Sequence, residues 1–261
     1  MNNDWNIDIN LSDNYINACK KFVEDDSQFQ NFKRDVNYLE ILEHISKEES
    51  DILISEMKNL DSLSKQQIEK FKENDLYGNP SLYEYEKFSS FSPSTIRYIK
   101  NTLDINNFVS DFDIKNVVEI GGGYGGLCKT LSVLINYQNY LLVDIFEVNK
   151  LSEKYLSKFS NIKNKITHFD YNQIKTNEVE NIDLLISNYA FSECGRQIQN
   201  VYYENLIKTS KTFYITYNNI TKDNIGPNEF IEMASKDFEI QIEHEVRAYH
   251  TNMILYGVNK K

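Results

Sequence analysis

The chain has 261 residues and a formal net charge of −11, from 28 Lys and Arg against 39 Asp and Glu. So acidic a balance, with a pI near 4.9, disfavours a nucleic-acid backbone as partner, because that binding draws on clustered Lys and Arg; a small anion held by a few backbone N–H groups stays open. Apolar residues make up 41%, and 18 Tyr, 15 Phe and one Trp each bury a large area, which excludes wholesale disorder.

No apolar run approaches the roughly 18–20 residues that span a bilayer. Met1-Asn2-Asn3-Asp4-Trp5 has neither the basic n-region nor the apolar stretch of a signal peptide. Cys19, Cys128 and Cys194 are too widely spaced for a disulfide framework or a C-x-x-C knuckle. The expectation is a cytoplasmic protein with free thiols.

In chain order, the first segment (1–107) reads as helices and polar connectors, an extension serving as acceptor-pocket cover or homodimer element. Phe32, Val36, Leu39, Leu42, Ile45, Ile52 and Leu53 recur at helical spacing between Phe29 and Ile54, with His44 on that run as a surface or half-buried residue. Ser64 to Asn74 carries Ile68 and Phe71 in the same manner. Tyr77-Gly78-Asn79-Pro80 is a turn signal. Ser92 followed by Pro93 predicts a helix start, with the helix running to about Leu103 and Arg97 either at a pocket mouth or on a mere linker helix.

From 108 to 261 strand and helix patterns alternate. Lys115 to Ile120 reads as a strand, Leu127 to Ile135 as a helix, Asn139 to Ile145 as a strand and Phe146 to Phe159 as a helix. Ile182 to Ser187 and Phe213 to Tyr217 follow as strands, with a helix over Gln197 to Lys208 between them. Continuous apolar strands alternating with helices predict a parallel sheet covered on both faces. Phe238 to Val246 and Met253 to Val258 lack an intervening helix, which predicts an antiparallel hairpin at the sheet edge.

Gly121-Gly122-Gly123-Tyr124-Gly125-Gly126 contains a G-x-G-x-x-G spacing directly after a strand and opening a helix, the context of a nucleotide-type cofactor turn. Asp144, with Ile145 beside it, ends the second strand, where a carboxylate accepts from ribose hydroxyls. Glu119 lies two residues before the first glycine; a negative charge there is unwelcome beside a pyrophosphate but suits a cofactor carrying a sulfonium and an ammonium. That turns the reading from a nicotinamide cofactor to S-adenosylmethionine. His168-Phe169-Asp170-Tyr171 follows the third strand, Asp170 to accept from an adenine amino group and Tyr171 to cover the ring. Asn188 ends the fourth strand in the same crevice. The fold expected is α/β: a Rossmann-like class I methyltransferase sheet, mostly parallel with an antiparallel last strand, and a helical N-terminal extension.

Val117 to Gly126 and Ser187-Asn188-Tyr189-Ala190-Phe191-Ser192-Glu193 resemble the signature blocks of the sugar O-methyltransferases of bacterial surface-polysaccharide gene clusters. Tyr77 to Pro80, Ser92 to Tyr98, and Val143-Asp144-Ile145 with Tyr155-Leu156 resemble the same family's lead-in and middle, so the likeness covers about Tyr77 to Val258. The tail from Glu245 to Asn252 matches less closely. The resemblance implies methyl transfer from S-adenosylmethionine to a sugar hydroxyl, free or nucleotide-linked, in capsule or lipopolysaccharide biosynthesis. A poorly nucleophilic hydroxyl needs a proton acceptor. His250, favoured slightly because its ordinary pKa is near 6.5, and Glu193 are the candidates; the alternative for Glu193 is a helix-capping acid or a partner for Arg196. Arg97 is the candidate for the methionine carboxylate, and Tyr189 and Tyr77 for substrate contact. Asp170, Asp183 and Glu193 lack metal-motif spacing, so no metal is expected. A non-sugar small-molecule acceptor and a non-catalytic scaffold are the competing readings.

Overall fold

The computed structural model describes residues 13–39, 41, 45–86, 88–218, 223–246 and 251–261. Two sheets are present. A small antiparallel hairpin joins β1 (Tyr83–Tyr85) and β2 (Ser89–Phe91). The larger sheet has seven strands in the order β5-β4-β3-β6-β7-β9-β8: β3 (Asn116–Ile120), β4 (Asn139–Val143), β5 (Ile166–Phe169), β6 (Leu184–Asn188), β7 (Thr212–Tyr217), β8 (Phe238–Val246) and β9 (Thr251–Asn259). β9 alone runs against its neighbours, pairing antiparallel with both β7 and β8, as the last strand was expected to. Successive strands leave β3 in one direction through β4 and β5, then restart at β6 on its other side. The carboxyl ends of β3 and β6 therefore border the crevice where open α/β sheets bind ligands.

Strand alternation divides the core. Val117 faces one side with Tyr140, Leu142 and Ile186, while Val118 and Ile120 face the other with Val143, Leu185 and Ile215. The first face is covered by α1 (Asp13–Glu24), α6 (Pro93–Phe108), α7 (Gly126–Leu131) and α8 (Phe146–Leu156), through residues such as Tyr15, Phe22, Ile105, Leu127 and Leu151. The second is covered by α9 (Tyr171–Thr176), α11 (Arg196–Tyr202) and α12 (Pro227–Ala234). Tyr15, Phe22, Phe29, Phe32 and Tyr38 of the N-terminal region belong to the same cluster as Val117, so this region shares a core with the sheet.

The apolar spacing between Phe29 and Ile54 does not make one helix. It is broken into α2 (Asp26–Phe29), a 3₁₀ turn at Phe32–Arg34, α3 (Val36–Leu39) and α4 (Lys47–Glu56). The polar residues explain the breaks, because short side chains compete for backbone groups. Asp25 caps α2, Asp35 accepts from the Asn37 amide at 3.0 Å, and Ser46 forms a capping box with Glu49. His44 lies outside the described residues. Ser92 and Pro93 do start a helix, with Ser92 Oγ accepting from the Thr95 amide at 3.2 Å, and it continues past Leu103 to Phe108. His168 and Phe169 lie inside β5 rather than after it. The three cysteines are free and buried.

Candidate functional site

The glycine loop leaves β3 with left-handed backbone at Gly121 (φ +78°), Gly123 (φ +53°) and Gly125 (φ +92°). A Cβ on Gly121 would lie 2.0 Å from Ala190 Cβ, so the loop rests directly on the turn that follows β6. Gly121 N–H donates to Val143 O at 2.8 Å, tying the loop to the end of β4 as well. Asp144 follows, half-buried, with Oδ2 accepting from Gly123 N–H at 3.0 Å and Oδ1 from Ile145 N–H at 2.8 Å. Burial pushes its pKa up to about 6 against the pull of those amide bonds. Ile145, also half-buried, is the residue before α8 and packs on the first core.

Glu119 is buried beneath this loop and accepts from Tyr140 Oη at 2.7 Å. Burial pushes it up to about 8, so at neutral pH it is mainly a protonated acid. The negative charge that the sequence places beside the glycines is therefore largely absent. A carboxyl raised in this way repels a pyrophosphate less than an ionised one would.

Across the crevice, Asn188 ends β6. Its Oδ1 accepts from Asn101 Nδ2 at 3.1 Å and from Thr216 Oγ1 at 3.0 Å. Those two donors orient the amide, leaving the buried Nδ2 as a donor with no partner among the described residues. Asn101 lies four residues after Arg97 on α6, so the two share a helix face at the crevice. Arg97 is buried, its guanidinium 5.5 Å from the Tyr98 ring centre.

Tyr189 sits at φ +68° and ψ −39°, a conformation that costs a β-substituted residue about 1–3 kcal/mol and that concentrates at functional sites. Its N–H donates to Thr216 O at 2.9 Å, its carbonyl accepts from Ser192 Oγ at 2.7 Å, and its Oη donates to Glu245 Oε2 at 2.6 Å. Glu245 is 2% exposed and also accepts from Asn252 Nδ2 at 2.9 Å. A buried carboxylate thus lies at the rim of the carboxyl ends, within one hydroxyl of the crevice. Sequence reasoning missed Glu245, Asn252, Thr216 and Asn101 as site residues.

The remaining candidates are placed as follows. Asp170 caps α9, accepting from the Gln173 amide at 3.0 Å, and Tyr171 meets Tyr202 edge-on at 6.1 Å. Glu193, exposed on α10 (Ala190–Glu193), accepts from Asn218 Nδ2 at 2.6 Å, whereas Arg196 pairs with Glu229. Tyr77 is not brought to the Asn188 rim; its ring packs against Phe29, Tyr155 and Phe159. Asp183 lies at the opposite end of the sheet, accepting from the Lys115 and Asn116 amides. His250 lies outside the described residues. Among the described residues no group of three His, Cys, Asp or Glu could hold a metal ion, and no helix is long and apolar enough to cross a membrane.

No protein-family model matches the chain, and no curated protein does. Among solved structures, magnesium protoporphyrin IX methyltransferase (ChlM) from Synechocystis PCC 6803, with bound SAM, superposes with a TM-score of 0.52 at 10% identity. The match covers 82% of this chain and 99% of that one. The N-methyltransferase NodS from Bradyrhizobium japonicum WM9, in complex with S-adenosyl-L-homocysteine, superposes with a TM-score of 0.51 at 12% identity, covering 63% and 87%. The fold is that of the class I methyltransferases. At these identities the likeness extends to architecture alone.

Proposed function

We propose that the chain is an S-adenosylmethionine-dependent O-methyltransferase whose acceptor is a sugar hydroxyl, in the building of a bacterial surface polysaccharide. The observation that carries the cofactor half is the convergence of the left-handed glycine loop, Asp144 and the unpartnered Asn188 Nδ2 on one crevice of this fold. The residues fit the group. Asp144 has acceptor capacity beyond its two amide bonds, enough for ribose hydroxyls. Asn188 Nδ2 needs an acceptor atom, and Arg97 brings a cation to the same side for a carboxylate. Asp170 and Tyr171, at the end of β5, are assigned to the adenine. When bound, S-adenosylmethionine supplies a methyl on a positively charged sulfur, an electrophile that needs no further activation.

The chain's own task is then to seat the acceptor and remove its hydroxyl proton. The sugar half rests on the resemblance of the Ser187 to Glu193 block, supported by a rim rich in neutral hydrogen-bonding groups: Asn101, Asn188, Thr216, Tyr189 and Asn252. Three groups compete to take the proton: Glu245 through Tyr189 Oη, Glu193, and His250. The test is transfer of labelled methyl from S-adenosylmethionine to a panel of nucleotide-diphosphate sugars and capsular oligosaccharides. Label released by mild alkaline hydrolysis, as from a methyl ester rather than a methyl ether, or label found only on nitrogen or on non-sugar acceptors, overturns the sugar reading.

A further inference from the structure

Within Gly121 to Gly126, Tyr124 is the only residue with a side chain. Tyr124 therefore supplies the loop's one side-chain anchor, beside the close approach of Gly121 to Ala190 and the Gly123 N–H bond to Asp144. Tyr124 is fully buried, and its ring packs against Phe32, Tyr98 and Tyr155 at 4.9–5.9 Å between centres. Its hydroxyl accepts from Asn74 Nδ2 at 3.1 Å. Over its face, 4.5 Å from the ring centre, lies the Lys33 ammonium, with no exposed side-chain surface.

Lys33 donates to Asn74 O at 2.7 Å and pairs with Asp75 at 3.6 Å. Asn74 Nδ2 also donates to Thr95 Oγ1, and Asn74 Oδ1 accepts from Tyr155 Oη. Asp75 accepts from Ser92 N–H, Ser92 Oγ and Thr95 Oγ1, the first turn of the helix that carries Arg97 and Asn101. One buried network thus joins the N-terminal region to both walls of the crevice. Burying an ammonium is costly, and an apolar side chain of equal size would fill the space at less expense to stability. A cation over the tyrosine face adds directional hold on the ring instead.

We propose that Lys33, Asn74 and Asp75 are positioning residues for the cofactor site: they fix Tyr124, and through it the glycine loop, in the geometry that receives the cofactor. This rests on the S-adenosylmethionine reading above. Coupling is reciprocal, so cofactor binding also orders the N-terminal region.

The test uses S-adenosylhomocysteine as probe, titrated calorimetrically into wild type, Lys33→Met and Tyr124→Phe, each also unfolded in urea. Hydrogen–deuterium exchange of residues 13–39 is followed with and without the probe. Lys33→Met keeps the stem and leaves Asp75 its three hydroxyl and amide donors, and Tyr124→Phe keeps the ring, so the second stands if the first fails to fold. The expected result is a Kd raised five- to fifty-fold in the folded variants, with the probe-induced protection of residues 13–39 seen in wild type reduced. A lower urea midpoint with Kd within twofold of wild type overturns the proposal and leaves a structural role alone. Wild type that binds no probe overturns the cofactor reading, and this proposal with it.

Discussion

Lowering the pH through 6 should weaken binding of S-adenosylhomocysteine by a calculable amount. In the free protein burial pushes Asp144 up to about 6. Ribose hydroxyls donating to the carboxylate favour its ionised form, so binding releases a proton wherever Asp144 starts protonated. Affinity is therefore full above the free-state pKa and lost as pH falls through it. At pH 7 roughly nine-tenths of Asp144 is ionised and at pH 5 about one-tenth, so Kd should rise about tenfold, or about 1.4 kcal/mol. Glu119, pushed up to about 8, stays mainly protonated across this window, and Cys19, pushed up to about 12, stays a thiol. His168 is a second titratable group, held below its usual value by burial, so a variant at Asp144 is needed to assign the profile. The assay is calorimetric titration at pH 5, 6 and 7 in buffers of different ionisation enthalpy, on wild type and Asp144→Asn. Asp144→Asn should bind more weakly at pH 7 and show a flat profile. A flat wild-type profile, or a slope that survives in Asp144→Asn, refutes the reasoning.

Three further outcomes are expected. Gly121→Ala forces a Cβ to within 2.0 Å of Ala190 Cβ at a left-handed position, so it should cost at least about 2 kcal/mol in urea unfolding and abolish probe binding; an unchanged midpoint contradicts the close packing. Lys100 and Asp104 form a buried pair at 2.6 Å, and Asp104→Ala, which strands the ammonium, should destabilise by about 3–5 kcal/mol, against under 1 for a typical surface pair. Glu245→Gln and Tyr189→Phe should each lower methyl transfer by roughly 10²–10⁴ with probe affinity intact; full turnover in both returns the proton-acceptor role to His250 or Glu193, tested by alanine at each.

The architecture was readable because its signals are periodic and local. Runs such as Val117 to Ile120 and Leu184 to Ser187 can be stable only between two covered faces, and the missing helix between the last two strands marks the hairpin. The glycine loop, Asp144 and Asn188 were readable because each sits at a strand end, a position fixed by chain order. Long-range polar contacts have no such signal. Tyr189 meets Glu245 across 56 positions, and Asn74 meets Tyr124 across 50, so nothing in either neighbourhood announces the other. The spacing between Phe29 and Ile54 misled because its apolar residues do not share one buried face: Phe32 joins the first core, Leu53 packs in a separate cluster, and Val36 and Leu39 are exposed. The state of Glu119 was hidden for a related reason: its charge depends on burial under a loop, which composition near the glycines does not reveal.

The central claim is that this crevice holds S-adenosylmethionine, with Asp144 as its ribose acceptor. Calorimetric titration of S-adenosylmethionine and S-adenosylhomocysteine, with NAD as control, into wild type and Asp144→Ala tests it most directly. Binding of the first two in the micromolar range, none of NAD, and loss in Asp144→Ala is the expected result. A folded wild type that binds neither, or that binds NAD instead, contradicts it.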